Sequence, residues 1–325
     1  MNSVRKRTLS EMNFVADWLR LGLNTTPNIA NSGKKSMQLQ TTLNIPQAGF
    51  SIGHDDPILL LGSCFADEMG SKLTENGFSV LSNPFGTLYN PASLAALLLR
   101  SVSERETTEL FRADDGLWHS WMHHSRFSSP DKEELRQRIS QATEQTARFL
   151  RTARVLIVTF GTAIIYRLKA DGMLVANCHK QPDTLFRRER MSAYDIVDQW
   201  TMVLQLLHAV NPDLQVIFTV SPVRHKRDGM HVNQISKGIL LVAVDELVER
   251  VKADLRVDYF PAYEILLDEL RDYRFYADDM VHPSSLAVEY IWQRFQETFM
   301  TAQTVEQCRQ NRKAWLRQQH REIIR

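Results

Sequence analysis

Short, mostly apolar runs that stop abruptly at a turn constrain the fold of this chain more than any other feature of its sequence. Three of them occupy residues 57–61, 155–160 and 214–220, and the residues that follow are Gly62, Gly161 and Ser221. Apolar runs of this length are typical of strands buried on both faces of a parallel sheet. Longer segments with helical spacing, such as 192–210, separate the runs. The pattern predicts an α/β fold: a three-layer sandwich with a mainly parallel sheet and helices on both faces.

Further segments complete this outline. Strands are predicted at 78–81 and 256–259, and helices at 65–76, from Pro91 onwards, at 130–150, 233–254 and 284–299, and from Ala302 onwards. Two segments are predicted to form antiparallel hairpins outside the main sheet, one within 106–129 and one at 164–176 around Asp171-Gly172. We therefore expect a small hairpin insertion and C-terminal helices beside the sandwich.

Composition narrows the class of protein. The 325 residues carry a net charge of +1 without a long basic or acidic block, which argues against nucleic acid or an anionic membrane as the main partner. The three cysteines, Cys64, Cys178 and Cys308, are too few and too widely spaced for a disulfide framework or a zinc knuckle. No stretch of 18 apolar residues occurs. The sequence predicts a cytoplasmic protein of unknown oligomeric state.

Three regions are expected along the chain. Residues 1–36 are polar and punctuated, and we expect a disordered leader there, or a segment upstream of a natural start at Met37. The alternative is an amphipathic helix over 10–22. Residues 37–300 are expected to form the main domain, and 301–325 a helical tail.

Cys64 follows Gly62 and Ser63 at the end of the first apolar run and begins a predicted helix. Backbone N–H groups at a helix N-terminus lower the pKa of a thiol and can bind a developing oxyanion. The position therefore predicts a cysteine that is partly ionised and reactive. The alternative interpretation is a small buried side chain without a chemical role.

His282 follows Asp279 by three residues, directly before the helix predicted at 284–299. A carboxylate at this spacing can accept a hydrogen bond from the imidazole ring and leave the other ring nitrogen free as a base. The alternative is a solvated acidic turn with a helix cap at Ser284. Together with a nucleophile turn near the other end of the chain, the pair indicates a catalytic site at the carboxyl edge of the sheet.

The segment Leu61-Gly62-Ser63-Cys64-Phe65-Ala66 resembles the motif that names the GSCFA family, which is distantly similar to the SGNH (GDSL-like) hydrolase superfamily. The resemblance extends over about residues 39–299 and includes, in order, the segments 83–87, 159–163, 177–180, 221–225 and 279–283. It implies an SGNH/flavodoxin-like sandwich and chemistry on an ester or related acyl bond.

The resemblance also implies roles for individual residues. The superfamily has a serine nucleophile in a Gly-Asp-Ser turn, an oxyanion-binding glycine in a second motif, and a late Asp-x-x-His that supplies base and orienting carboxylate. These positions correspond here to Cys64, Gly86, and Asp279 with His282. The backbone N–H groups of Cys64 and Gly86 would stabilise the oxyanion.

This chain departs from the superfamily in two motifs. The nucleophile position holds cysteine, with Ser63 where the superfamily has aspartate, so either side chain is a candidate nucleophile and Cys64 is preferred. The third motif contains Gly161-Thr162-Ala163-Ile164 and lacks the expected oxyanion-binding asparagine. Thr162 remains a candidate contact, and Asn177 or His179 is a candidate replacement for the asparagine.

Arg224, His225 and Lys226 follow the run 214–220 and are expected at the same edge of the sheet. They could bind an anionic group such as a carboxylate or phosphate, or form a solvated basic loop. His119, His123 and His124 lie in the predicted hairpin region without a convincing carboxylate or cysteine partner. Neither a metal nor another cofactor is predicted.

Three functions remain open. The first is a hydrolase that cleaves an O-acyl ester of a small molecule or glycan, for example an acetylated sugar, through an acyl-enzyme. The second is an acyltransferase that passes the acyl group to a hydroxyl other than water. The third is a binding module that kept the sheet and lost turnover, which the missing asparagine favours and the retained Asp279 and His282 disfavour.

Overall fold

The structure is a computed structural model that describes residues 40–103 and 110–323. The strands are β1 (Ile58–Gly62), β2 (Val80–Ser82), β3 (Leu110–Arg112), β4 (Trp118–Ser120), β5 (Val155–Phe160), β6 (Ile164–Leu168), β7 (Leu174–Val175), β8 (Phe186–Arg190), β9 (Gln215–Val220) and β10 (Val257–Phe260). The long helices are α1 (Cys64–Glu75), α2 (Pro91–Ser103), α3 (Lys132–Leu150), α4 (Ala193–Val210), α5 (Met230–Val251), α6 (Ser285–Phe299) and α7 (Ala302–Ile323). A short helix, Ala262–Glu264, continues as the π-helical segment Ile265–Leu270.

Five strands form the central sheet in the order β10-β9-β5-β1-β2, and every neighbouring pair is parallel. β1 and β5 are paired from Ile58 beside Val155 to Gly62 beside Thr159. β5 and β9 are paired from Val155 beside Gln215 to Phe160 beside Val220. The carboxyl ends of β1, β5 and β9 therefore lie at one edge. The predicted parallel sheet is confirmed.

Helices cover both faces of this sheet because alternate strand residues face opposite cores. Leu59 and Leu61 of β1 pack with residues of α2, α3, α4 and α5. Ile58 and Leu60 pack on the other face with residues of α1, α6 and α7. Apolar residues at successive positions of each strand thus produce the predicted three-layer sandwich.

The smaller sheets differ in part from the prediction. β3 and β4 form the expected antiparallel hairpin, but 121–129 is not a strand and contains the 3₁₀ turn Ser125–Phe127. The hairpin of β6 and β7 has an additional strand, β8, on the other edge of β6. β8 was not predicted from the sequence, because four of its five residues are charged and only Phe186 is buried.

The residues at either end of the domain pack against it. Ile52 lies in the core beside α6, and Cys308 of α7 is buried in the same cluster. All three cysteines are free thiols. The leader expected at 1–36 lies outside the described residues. No helix among residues 40–103 and 110–323 is both long and apolar enough to cross a membrane.

Candidate active site

The turn between β1 and α1 is built around Gly62. Its backbone has φ of +143°, a region that favours glycine, and a Cβ atom there would lie 2.2 Å from the carbonyl oxygen of Thr159. The Gly62 N–H donates to Asn83 Oδ1 at 2.8 Å. A glycine at this position therefore lets the chain turn sharply from a central strand into a helix at the carboxyl edge of the sheet.

Ser63 and Cys64 have different environments in this turn. Ser63 is 1% exposed and caps α1, where its Oγ accepts from the Phe65 N–H at 3.3 Å and donates to Ser221 Oγ at 2.9 Å. Cys64 is partly exposed and lines an open cleft. Cys64 is thus the more exposed side chain of this pair, while both hydrogen bonds of Ser63 support the turn.

The Cys64 thiol is not ionised by the helix N-terminus. Burial raises its pKa to about 11, and the Asp67 carboxylate acts in the same direction. The backbone N–H groups of Cys64 and Phe65 lower the pKa but do not offset these effects. The expectation of a partly ionised thiol is therefore wrong, because the sequence did not reveal how far the turn is buried. A base must remove the proton before Cys64 can attack.

Asp279 and His282 form the hydrogen bond expected from their spacing. His282 Nδ1 donates to Asp279 Oδ2 at 2.6 Å, and the other carboxylate oxygen accepts from the backbone N–H groups of Val281 and His282 at 2.8 and 3.0 Å. These hydrogen bonds, the one from the His282 ring above all, hold the pKa of Asp279 well below its usual range. The ring is fixed by this bond, and no hydrogen bond to Nε2 occurs among the described residues, the arrangement a general base needs.

Cys64 and His282 line one cleft at the carboxyl edge of the sheet, with a volume of about 270 Å³. Its walls come from the turns after β1, β5 and β9 and from the loop that holds His282; the lining residues are Ser63, Cys64, Tyr89, Gly161, Ser221, Val223, Arg224, His225, Lys226, Arg227, Val281 and His282. Among the described residues no hydrogen bond joins Cys64 Sγ to His282, a contact that in many enzymes tightens only when substrate binds.

Lys237 lies beneath this cleft and escaped the sequence analysis. Its side chain is 1% exposed, and Nζ donates to the carbonyl oxygens of Gly161 and Ser221 at 2.8 and 2.6 Å. Burial lowers the pKa of Lys237 to about 7, while a Cys64 thiolate would raise it. Its spacing from Leu240 and Val244 in α5, which places all three on one helix face, was the signal that could have revealed the burial.

Tyr89 is a second residue that sequence reasoning missed. Its carbonyl oxygen accepts from the N–H groups of Gly161 and Thr162 at 2.7 and 2.9 Å, which fixes its backbone beside the cleft. Burial raises the pKa of Tyr89, and the charges of Cys64 and Asp67 raise it further, so the phenol lies within electrostatic reach of the thiol. Its position two residues after the segment 83–87 could have indicated it.

Gly86 and Thr162 are not brought to the cleft. The Gly86 N–H donates to the carbonyl oxygen of Asn83 at 2.8 Å, and the space beside its Cα is filled by His124. The Thr162 side chain is buried and bonds with Ser236 Oγ at 3.0 Å. In this structure both residues support neighbouring segments, and neither presents a donor to a substrate at Cys64.

Asn177 and His179 lie by the smaller sheets. Asn177 accepts from the His179 N–H and donates to Ser125 Oγ, at 2.9 and 3.2 Å. His179 Nε2 lies 2.8 Å from the carbonyl oxygen of Ser120, and burial lowers the pKa of His179 to about 4. Neither residue lines the cleft of Cys64. The structure therefore does not place a substitute for the missing asparagine at either position.

Arg224 and His225 do line the cleft, as expected from their position after β9. The Arg224 N–H donates to the carbonyl oxygen of Val281 at 3.1 Å, which ties this loop to that of His282. Burial lowers the pKa of His225, whose ring contacts Tyr89 edge-on at 5.5 Å. Within the part of the chain that the structure describes, no cluster of three or more His, Cys, Asp or Glu side chains could hold a metal ion.

Comparison with known proteins adds one specific match. The sequence model of the GSCFA family matches residues 57–295 of this chain, from β1 into α6. Among solved structures the fold is similar to a GDSL-like lipase from Bacteroides thetaiotaomicron (TM-score 0.38, 11% identity, covering 74% of this chain and 86% of that one). It is also similar to a carbohydrate esterase family 3 protein from Talaromyces cellulolyticus (TM-score 0.37, 12% identity, 74% and 95% covered). No curated protein matches the sequence significantly.

Proposed function

Because this chain belongs to the GSCFA family, whose model spans both Cys64 and the Asp279–His282 pair, we propose that it is a hydrolase that cleaves an ester through a covalent acyl intermediate on Cys64. The observation that carries the proposal is the shared cleft. It contains a partly exposed thiol at the first residue of a helix and an imidazole whose Nδ1 is held by a carboxylate at 2.6 Å. The substrate is an O-acyl ester of a small molecule or glycan.

In the first step the ester carbonyl carbon lies beside Cys64 Sγ. His282 Nε2 accepts the thiol proton, the sulfur forms a bond to the carbonyl carbon, and the C–O bond to the leaving group breaks. The alkoxide takes the proton back from His282 and departs as an alcohol. Asp279 keeps the ring in the required tautomer and stabilises its charged form. The raised pKa of Cys64 makes this base necessary.

The developing oxyanion needs hydrogen-bond donors near the sulfur. The N–H group of Cys64 is close enough to lower the thiol pKa, so it also faces a charge formed at this point. Tyr89 offers a side-chain hydroxyl on the wall of the same cleft. This set replaces the glycine and asparagine expected from the superfamily.

In the second step water attacks the thioester, His282 takes its proton, and the C–S bond breaks to release the carboxylic acid and the protonated thiol. A hydroxyl acceptor in place of water would make the protein an acyltransferase. The cysteine favours this second candidate, because a thioester reacts readily with other nucleophiles and a thiolate is a good leaving group.

The test is turnover of 4-nitrophenyl acetate together with intact-protein mass spectrometry of the acyl adduct. We expect Cys64→Ala to lose both turnover and the acyl adduct. Ser63→Ala should still form the adduct, although its folded state should be less stable. Cys178→Ala is the matched control, because Cys178 is also a partly exposed thiol whose pKa burial raises to about 11, but it lies outside the cleft. An adduct that survives in Cys64→Ala and disappears in Ser63→Ala would transfer the role to Ser63. If the wild-type protein forms no adduct, the proposed chemistry at Cys64 is contradicted and the alternative of a binding module without turnover is favoured.

A further inference from the structure

The cleft of Cys64 carries an unbalanced charge. Among the residues that line it, Arg224, Lys226 and Arg227 are cationic, and none of the described lining residues is a carboxylate. The chain as a whole carries a net charge of only +1. The positive charge is therefore concentrated where the substrate would bind, and a cleft lined by one sign of charge attracts ligands of the other sign.

Neighbouring carboxylates neutralise one of these cations but not all. Arg227 pairs with Asp183 at 2.7 Å. Arg188 of β8 pairs with Asp228, the residue after Arg227, at 2.9 Å. Arg224, in contrast, has no carboxylate within 4.0 Å among the described residues, and its Nη1 donates to the uncharged carbonyl oxygen of Met280 at 3.4 Å. Arg224 is thus a cleft cation whose charge is left for a ligand.

The guanidinium of Arg224 is also held in place. It lies 3.8 Å from the centre of the Tyr276 ring and 5.4 Å from that of Tyr273. Its backbone N–H donates to the carbonyl oxygen of Val281, the residue before His282. A guanidinium stacked on an aromatic ring keeps its edge N–H groups free for the paired oxygens of a carboxylate or phosphate.

We propose that the substrate of this cleft carries an anionic group, a carboxylate or a phosphate, which Arg224 binds while the acyl carbon lies at Cys64. The inference rests on the proposed function and adds the class of substrate to it. Because the loops of Arg224 and His282 are joined by a hydrogen bond, binding of the anion also fixes the loop that carries the base.

The experiment compares matched esters that differ in one negative charge. If the anion belongs to the leaving group, 3-carboxyphenyl acetate should react with a higher kcat/KM than its neutral carboxamide. If it belongs to the acyl part, the phenyl monoester of glutaric acid should react with a higher kcat/KM than the same ester with its free carboxylate converted to a carboxamide. We expect a preference of about tenfold or more in one pair, since hydrogen bonds between charged groups are stronger than neutral ones. Absence of a preference in both pairs would overturn the proposal.

Variants identify the residue responsible. Arg224→Gln should lower the anionic-to-neutral ratio of kcat/KM by about tenfold or more, and Arg224→Lys should lower it less, because it keeps the charge and loses the planar fork. Arg227→Gln is the matched control: it removes the same charge from the same loop, but Asp183 already neutralises it. Equal losses in Arg224→Gln and Arg227→Gln would exclude a specific role for Arg224.

A binding measurement separates this proposal from the chemistry at Cys64. Inorganic phosphate is titrated calorimetrically into Cys64→Ala and into the double variant Cys64→Ala/Arg224→Gln. Weaker binding to the double variant supports the anion site even if no ester is turned over. Equal affinity for both proteins, or no binding to either in the millimolar range, would contradict it.

Discussion

Lys237 is a buried ammonium that no carboxylate neutralises among the described residues. Two carbonyl oxygens, at the ends of β5 and β9, satisfy two of its N–H groups but cannot cancel its charge. The titratable side chains around it, Cys64, His225 and Tyr263, belong to three other segments. A buried cation costs folding free energy, and proteins retain such residues chiefly where they serve a function.

The lowered pKa of Lys237 makes stability depend on pH. Between about pH 7 and the ordinary lysine value near 10, the unfolded chain binds one proton more than the folded one, so stability should rise with pH. Lys237→Met removes this dependence and should stabilise the protein, most of all at pH 7 and below. Urea unfolding of both proteins from pH 6.5 to 8.5 measures the difference. A difference that does not shrink as pH rises would contradict the lowered pKa.

His282 and Asp279 should differ in their effect on rate. His282→Ala removes the base and should lower kcat/KM for 4-nitrophenyl acetate by about a hundredfold or more. Asp279→Asn should cost less, because it alters ring orientation and charge stabilisation without removing the proton acceptor. Both side chains are about half exposed, 47% and 49%, so neither change should alter the melting temperature much. A larger loss in Asp279→Asn than in His282→Ala would count against these roles.

At the scale of elements, the β1–α1 turn joins β1 to the helix that begins at Cys64. Asn83 secures it from the other side: Oδ1 accepts from the Gly62 N–H, and Nδ2 donates to Asp67 Oδ1 at 2.8 Å. The turn, α1 and the segment after β2 are therefore one hydrogen-bonded unit, and Asn83 helps to hold the turn that carries Cys64.

Gly62→Ala should disrupt this unit. The new Cβ would meet backbone atoms of β5, which cannot move aside, and φ would remain positive. We expect a loss of stability on the order of 3 kcal/mol or more. Gly172→Ala is the matched control, since φ is also positive (+75°) but nothing lies within 4 Å, and it should cost about 1 kcal/mol. If chemical denaturation gives the same loss of unfolding free energy for both variants, the expected clash between the new Cβ and β5 does not occur.

At the scale of the whole molecule, residues far apart in the sequence close the core beside α6. The Leu43 N–H donates to Glu269 Oε1 at 2.6 Å, and Arg294 Nη2 donates to the carbonyl oxygen of Leu43 at 2.7 Å. Leu43 and Ile45 pack against the same cluster as Phe299. The domain therefore needs the segment that precedes β1.

Two truncations should separate the expected leader from this segment. Deletion of residues 1–36 should leave the melting temperature unchanged, because the contacts of Leu43 and Ile45 remain. Deletion of residues 1–46 removes both side chains and should cost about 2 kcal/mol or more, a fall of roughly 4 °C or more in Tm for a domain of this size. A clear fall already in the shorter deletion would show that residues 1–36 pack against the domain.

Much of the fold could be predicted because its signals are local. Apolar runs of five to seven residues located β1, β5 and β9, and helical spacing located α4 and α6 to within one or two residues. β8 was missed because Arg187, Arg188, Glu189 and Arg190 lie on an edge strand that is largely exposed, which leaves no apolar alternation to detect. The hydrogen bond between Asp279 and His282 could be predicted for the same reason, since only two residues lie between them.

By itself the sequence determined that the turns after β1, β5 and β9, with Cys64, Gly161 and Arg224, stand at the carboxyl edge of the sheet, because the order of apolar runs and turns dictates where a parallel sheet exposes its loops. It could not determine their state. The protonated thiol of Cys64, the buried ammonium of Lys237 and the uncompensated charge of Arg224 depend on how much water and which carboxylates remain within a few ångströms. Those neighbours come from segments up to two hundred residues apart, so only the tertiary structure decides desolvation and charge pairing at this site.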